Sequence, residues 1–406
     1  LEKKTFHEFQ LETLLLGNQK LADSIKILLY QADKKIFNRL DFNNDRIYLE
    51  PLLFALFNSK NSAAVNIEPI IYGFTELPLR PKQIEVISDQ SGKIYLPNVG
   101  WLEVEQPNLK YDLLTNEQGK ICLQLNGKTV SYVVHSLEFI EGTKTELLKY
   151  PIPLLNQFYY DVKGASIDVE IEIITERNKI HLITAFNLIK KHSPEHFDLI
   201  QLACAKCVIF NVDTYLRNSF ATLSAQGISF FNAYQENYNE VFFVDDIAHQ
   251  SGHVIFNALI YEINDFMLLN PDTILQNVKV DGVLVETRNF HVIFHALYTY
   301  YTTFTCLSAC LDAGCFEGEK YHEALGRIRC YIDKCYQDLL LIDNPVDSDE
   351  NSKRMFTESG LIIYKEIKST FKMMVTKWGN HVKDFNLNNQ PYNFTYSKFV
   401  ELNPLK

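Results

Sequence analysis

Long apolar runs are missing from this sequence. Uninterrupted stretches such as Leu52 to Phe57 and Cys207 to Phe210 fall far short of the roughly 20 residues that a membrane helix needs. Phosphate-cradling loops are missing too: the 16 glycines form neither G-x-G-x-x-G nor G-x4-G-K-S/T, which excludes the common nucleotide-binding loops. No G-x-S-x-G occurs, so the nucleophile elbow of serine hydrolases is excluded. Positive charge is in deficit, with 39 Lys and Arg against 50 Asp and Glu for a net charge of -11. Neither nucleic acid nor an anionic membrane is therefore an expected partner. Eight cysteines in 406 residues are too sparse for a disulfide framework. Cys306, Cys310, Cys315, Cys330 and Cys335 stand among apolar residues, where cysteine acts as a small hydrophobe. With no secretory pattern after Leu1, a reduced cytoplasmic location is expected. No repeat of 20 to 50 residues appears, which excludes solenoids and propellers, and no heptad pattern defines an oligomeric state.

What is present is an ordinary globular composition, 47% hydrophobic and 22% charged. The expected fold class is α+β. N-terminal helices come first, then a mostly antiparallel β region over Ile67 to Lys149, then a C-terminal helical metal-binding bundle with a zincin-like strand-plus-helix element. Leu11, Leu14, Leu15, Leu21, Ile25, Leu28 and Leu29 follow helical spacing. The β region shows short runs punctuated by Asp89-Gln90-Ser91-Gly92 and Asn116-Glu117-Gln118-Gly119, and Asn126-Gly127 predicts a hairpin. A helix is expected from near Ala165, ending before His192-Ser193-Pro194, then strands over Leu202 to Val212 and Ser219 to Phe231. Four helices are expected over 243–268, 288–313, 319–342 and 353–381, with Asn344 to Asp349 as a loop and the segment after Asn386 wrapping the surface. The domain boundary is placed at residue 150: 1–150 as a helical and β part able to bind peptide, 151–406 as the metal-binding catalytic part.

The chemistry concentrates in His249-Gln250-Ser251-Gly252-His253. Histidines four apart on a helix lie on one face, one turn from each other, so both imidazoles can meet one ion. The zinc-protease motif places a glutamate after its first histidine as general base. Gln250 stands there, and an amide cannot take that proton, which disfavours a zinc peptidase or other hydrolase. A second pair, His291 and His295, follows in Arg288-Asn289-Phe290-His291-Val292-Ile293-Phe294-His295. Four of the 11 histidines thus fall in two short segments, and three imidazoles would leave open positions on a metal. On a continuous helix, Arg288 would share a face with His295 and could grip a carboxylate. A surface position, or a salt bridge to Glu286, is the plainer reading of Arg288 alone.

Together these segments resemble the HExxH-domain proteins found with peptide natural-product clusters. That family carries H-E-x-x-H-x-x-x-x-A-L, matched here by His249 to Leu259. It also carries R-P-L-x-G-x-x-H-G-x-Y-A, matched from Arg288 with the seven-residue step to His295 kept. A Ser-Ala-Thr strand with a following glycine is similar to Ser219 to Gly227. The resemblance is best over about residues 200–310. It implies an iron(II)- and 2-oxoglutarate-dependent dioxygenase that uses O2 to hydroxylate a β carbon of a ribosomally made precursor peptide. It further implies His249, His253 and His295 as metal ligands and Arg288 as the holder of the 2-oxoglutarate distal carboxylate.

Three departures stand out. Gln250 replaces the motif glutamate, Asn289 replaces a proline, and His291 occupies a usually small position. Gln250 and His291 are the remaining candidates for direct roles, and His291 could be an alternative ligand, a ligand's partner or a substrate contact. A carboxylate ligand, if one completes the set, would be Glu262, Asp245 or Asp246. For Asp246 a favourable charge at the helix N-terminus is the plainer reading. Cys204-x-x-Cys207 reads as buried strand, and His192-x-x-x-His196 as a surface turn or helix start. Phe294, Tyr298 and Tyr301 share a core-facing stripe. The edges of the β region offer β-augmentation to the peptide. A catalytically inactive peptide-binding scaffold is the third reading.

Overall fold

Eight helices of seven residues or more precede the C-terminal tail in the computed structural model, which describes residues 4–59, 66–161, 163–234, 238–280, 283–343 and 350–405. We number them α1 (Phe6–Ala32), α2 (Pro51–Phe57), α3 (Glu172–His192), α4 (Pro194–Ala203), α5 (Glu240–Leu259), α6 (Phe290–Asp312), α7 (Gly318–Leu340) and α8 (Glu358–Val382). The strands are β1 (Gln83–Ile87), β2 (Lys93–Leu96), β3 (Gly100–Glu103), β4 (Lys110–Thr115), β5 (Ile121–Leu125), β6 (Lys128–Val130), β7 (Val133–His135), β8 (Glu146–Leu147), β9 (Lys206–Phe210), β10 (Phe220–Ala221), β11 (Ile228–Asn232), β12 (Ile274–Val280) and β13 (Val283–Asn289). This is the expected α+β order of N-terminal helices, antiparallel sheets and C-terminal helices. No helix among the described residues is long and apolar enough to cross a membrane.

The chain divides into two compact units that are interleaved in sequence, not split once at residue 150. Unit 1 takes Leu1–Gly17, Asn178–Ala203 and Gln235–Lys406, and unit 2 takes Asn18–Arg177 and Cys204–Tyr234. The serial division fails for two reasons. Gln10 donates to the hydroxyl of Tyr298 at 2.8 Å, which gathers the first turns of α1 into unit 1. β9 pairs in parallel with β8, Glu146 opposite Lys206, which gathers 204–234 into unit 2.

Unit 2 holds two fully antiparallel sheets, ordered β1-β4-β5-β6 and β2-β3-β7. Alternation drives them: Ile84, Val86, Tyr111, Leu113 and Leu123 point into one apolar core. Asn126 and Gly127 both take positive φ, 51° and 76°, which is the two-residue turn their types favour. A third, mixed sheet is ordered β10-β11-β9-β8. Its inner strands β9 and β11 are buried at every position, as a run without alternation requires.

Unit 1 is a bundle of α4 to α8 together with most of α3. Its outline differs from expectation in three places. α3 begins at Glu172 instead of Ala165. α5 ends at Leu259, so Glu262 lies beyond it, exposed, at the start of a short 3-10 turn. Most consequential, β12 and β13 form an antiparallel hairpin where the α6 segment was expected to begin, and α6 starts only at Phe290. The tail after Asn386 is not wholly superficial: Phe394 and Phe399 pack with Cys330. The loop expected at Asn344 to Asp349 lies outside the described residues.

Candidate metal centre

α5 begins where Asn239 caps it, its side-chain oxygen accepting from the Val241 N–H at 2.8 Å. α6 begins the same way, with Asn289 accepting from Val292 at 2.9 Å. Asn289 is thus a helix cap at the strand-to-helix junction, which explains an asparagine where the resembling family has proline.

The two helices approach closely because of Gly252. A Cβ there would lie 2.5 Å from Thr302 Oγ1, so only glycine admits this packing, and Thr302 Oγ1 donates across the gap to the Ala248 carbonyl at 2.9 Å. His253, next in sequence, is thereby brought against α6: its Nδ1 lies 2.9 Å from His295 Nε2. His249, one turn back, has its ring 5.0 Å from that of His253. His291 completes the row, 5.8 Å from the His295 ring. All four residues are of intermediate exposure.

Burial sets their charge. Desolvation pushes His253 down to about 4. It also holds His249 well below the usual histidine range, helped by His253 and Lys334. His295 is held well below as well, by burial and then by its three histidine neighbours, and burial lowers His291. All are neutral at pH 7, the form whose lone pair binds a metal. His249 Nδ1 is buried with no hydrogen-bond partner, an unmet demand in a buried polar group. The donor chemistry therefore suits a divalent transition ion. Among the described residues, however, no three His, Cys, Asp or Glu side chains are set around a common point so as to hold a metal ion, and His253 and His295 are hydrogen-bonded to each other.

The carboxylates sit elsewhere. Asp245 is ion-paired with Arg327 at 2.6 Å. Asp246 accepts from Gln250 Nε2 at 3.0 Å and falls in the second turn of α5, so the helix-dipole reading does not apply to it. Gln250 keeps its other amide atom, Oε1, buried and unpartnered. Arg288 departs most from expectation. It is on strand β13, so the seven-residue step to His295 does not put them on one helical face. Its fork grips Asp338 of α7 through both Nη atoms, at 2.6 and 2.7 Å, and Nη1 also donates to Gln276 at 3.1 Å. Glu286 is only a distant neighbour at 3.9 Å. The guanidinium expected to hold a co-substrate carboxylate is filled by a carboxylate of the chain itself.

Sequence reasoning missed one neighbour of His249, Tyr331. Tyr331 of α7 stands 5.8 Å from the His249 ring and Tyr300 of α6 6.4 Å. His196 was also missed: expected at the surface, it is buried on α4 with Nε2 3.1 Å from Ser251 Oγ. Cys204 and Cys207 are buried as expected, and burial pushes the Cys204 thiol up to about 12. Phe294 and Tyr298 are fully buried. Compared with protein-family models and with curated proteins, the chain matches none.

Proposed function

We propose that the chain is an iron(II)- and 2-oxoglutarate-dependent dioxygenase that hydroxylates a side-chain β carbon of a ribosomally made precursor peptide. The observation that carries this reading is the juxtaposition of His253 and His295 across α5 and α6, with His249 one turn away and every imidazole kept neutral. Iron(II), bound with the keto acid and O2, would supply the oxidising power for C–H hydroxylation. The residues of the chain do the rest. His249, His253 and His295 would hold the ion, and the Tyr300 and Tyr331 rings flank His249. The intermediate exposure of the histidines leaves a way in for a substrate. The ends of the first sheet, β1 and β6, carry open backbone groups on which an extended peptide could pair.

A catalytically inactive peptide-binding scaffold is favoured by one observation, the filled fork of Arg288. A hydrolase is disfavoured by Gln250, which cannot act as general base. Anaerobic titration of iron(II) and then 2-oxoglutarate, followed by visible absorption, separates the three. A charge-transfer band in wild type that is lost in His253→Ala supports the hydroxylase. Retained metal without a band, with oxygen-independent peptide cleavage, would replace it with the hydrolase. Failure of wild type to retain metal would leave the scaffold.

A further inference from the structure

Helices α5 and α7 run in the same direction along one seam. Asp245 of α5 meets Arg327 of α7 at 2.6 Å. One turn further on both helices, the His249 ring meets the Tyr331 ring at 5.8 Å. The next residue on that face of α7 is Lys334, three after Tyr331, and one more turn brings Asp338. α7 therefore lays Arg327, Tyr331, Lys334 and Asp338 in a row past the histidines.

The charges along this row do not balance in the same way. Arg327 is answered by Asp245 and by Glu323, at 2.6 and 2.7 Å. Asp338 is answered by Arg288 at 2.6 Å. Lys334 faces no carboxylate within ion-pair distance among the described residues. Its Nζ donates to the Tyr392 carbonyl at 2.6 Å and lies 4.6 Å from the Tyr392 ring centre and 5.7 Å from that of Tyr331. An ammonium has three donors, and one is used.

We propose that Lys334, not Arg288, receives a carboxylate of the co-substrate beside the imidazole cluster. The assignment rests on the hydroxylase reading above. It follows from the contrast between a guanidinium whose fork is filled and an ammonium over Tyr331, one ring away from His249, with no carboxylate at ion-pair distance among the described residues. The ligand class is a small dicarboxylic keto acid, one end directed to the imidazoles and the other to the ammonium. Because lysine is a point charge without a fork, the contact is less directional than an arginine clamp and is weakened by salt.

The test is anaerobic calorimetry of iron(II), then of 2-oxoglutarate, on wild type, Lys334→Met, Lys334→Arg and Arg288→Lys. Methionine keeps an unbranched apolar stem and removes the charge. The expected result is unchanged iron affinity in Lys334→Met, with 2-oxoglutarate bound about tenfold or more weakly and its salt dependence lost. Lys334→Arg restores binding, and Arg288→Lys leaves it near wild type. Wild-type 2-oxoglutarate affinity in Lys334→Met, or its loss in Arg288→Lys alone, would overturn the assignment while the hydroxylase reading stands. Wild type that retains no iron(II) brings down that reading, and this assignment with it.

Discussion

Each unit contains a buried cation set against two buried carboxylates, and these two clusters are built differently. In unit 2, Lys206 reaches Glu146 at 2.7 Å, Glu50 at 3.3 Å and the Tyr95 hydroxyl at 3.0 Å. Tyr95 in turn donates to the Glu146 carboxylate at 2.8 Å. In unit 1, Arg327 forks between Glu323 and Asp245, and Asn239 donates to the free oxygen of Glu323 at 2.9 Å. Burial raises Glu50 and Asp245 alike, each held in check mainly by its cation. Burial and ion pairing are thus common to both and do not distinguish a site. What differs is the next turn of chain. The lysine cluster ties the cap of α2 to β8 and β9. The arginine cluster stands one turn below His249, and its Asn239 also caps α5. The arginine cluster fixes the register of the helix that carries the candidate ligands, and the lysine cluster fixes only a fold.

The largest expected effect tests that distinction. Arg327→Met strands two buried carboxylates and should cost about 3–5 kcal/mol. Lys206→Met should cost nearer about 3 kcal/mol, because Tyr95 and the Leu52 N–H still serve its two carboxylates. If iron affinity, measured under mild conditions where both remain folded, falls in Lys206→Met as much as in Arg327→Met, the contrast is broken. A second comparison concerns the Arg288–Asp338 pair. Arg288→Met should cost about 3 kcal/mol by leaving Asp338 unpaired, whereas the double variant Arg288→Met/Asp338→Leu should recover much of that loss. Additive losses in urea denaturation would show that the two side chains are not coupled. This pair is also why Arg288→Ala is a poor probe of ligand binding.

The smallest effect is one of pH. Of the 11 histidines, only His135 lies in unit 2. In unit 1, burial takes His196 from 6.5 to about 4. Its unfolded form gains a proton first as pH falls below 6.5, so unit 1 loses stability from there down to about 4. The full loss is about 3 kcal/mol. Hydrogen exchange between pH 7.5 and 4 should show α4 and α5 losing protection, and His196→Asn should make that dependence shallower by this histidine's share, the lowered His249, His253, His291 and His295 supplying more of it. An unchanged pH profile in the variant would assign the acid sensitivity to other groups.

The helices around the histidines were legible because apolar residues recur at helical spacing, and Asn126-Gly127 announced its hairpin. The β12–β13 hairpin was not recognised, since charged and apolar residues alternate there only loosely, although Asp281-Gly282 between two such runs is a hairpin dipeptide. Missing it made Arg288 a helical residue and gave its spacing to His295 a meaning that the strand removes. The histidine cluster itself could be anticipated from spacing within each helix. Its closeness could not, because it depends on Gly252 meeting Thr302 fifty residues away. Nor could partners such as Asp338 or Lys334, whose roles depend on which charges meet across the bundle.

The interleaving of the two units has a consequence during synthesis. Gln10 and Tyr298 are separated by 288 residues, and chains grow at about 5–20 residues per second. The first turns of α1 therefore wait about 15–60 s for their partner. Unit 2 has all of its chain by Tyr234, before either the His249–His253 or the His291–His295 helix has emerged. The half with no candidate chemistry can finish first, and the histidines come together last.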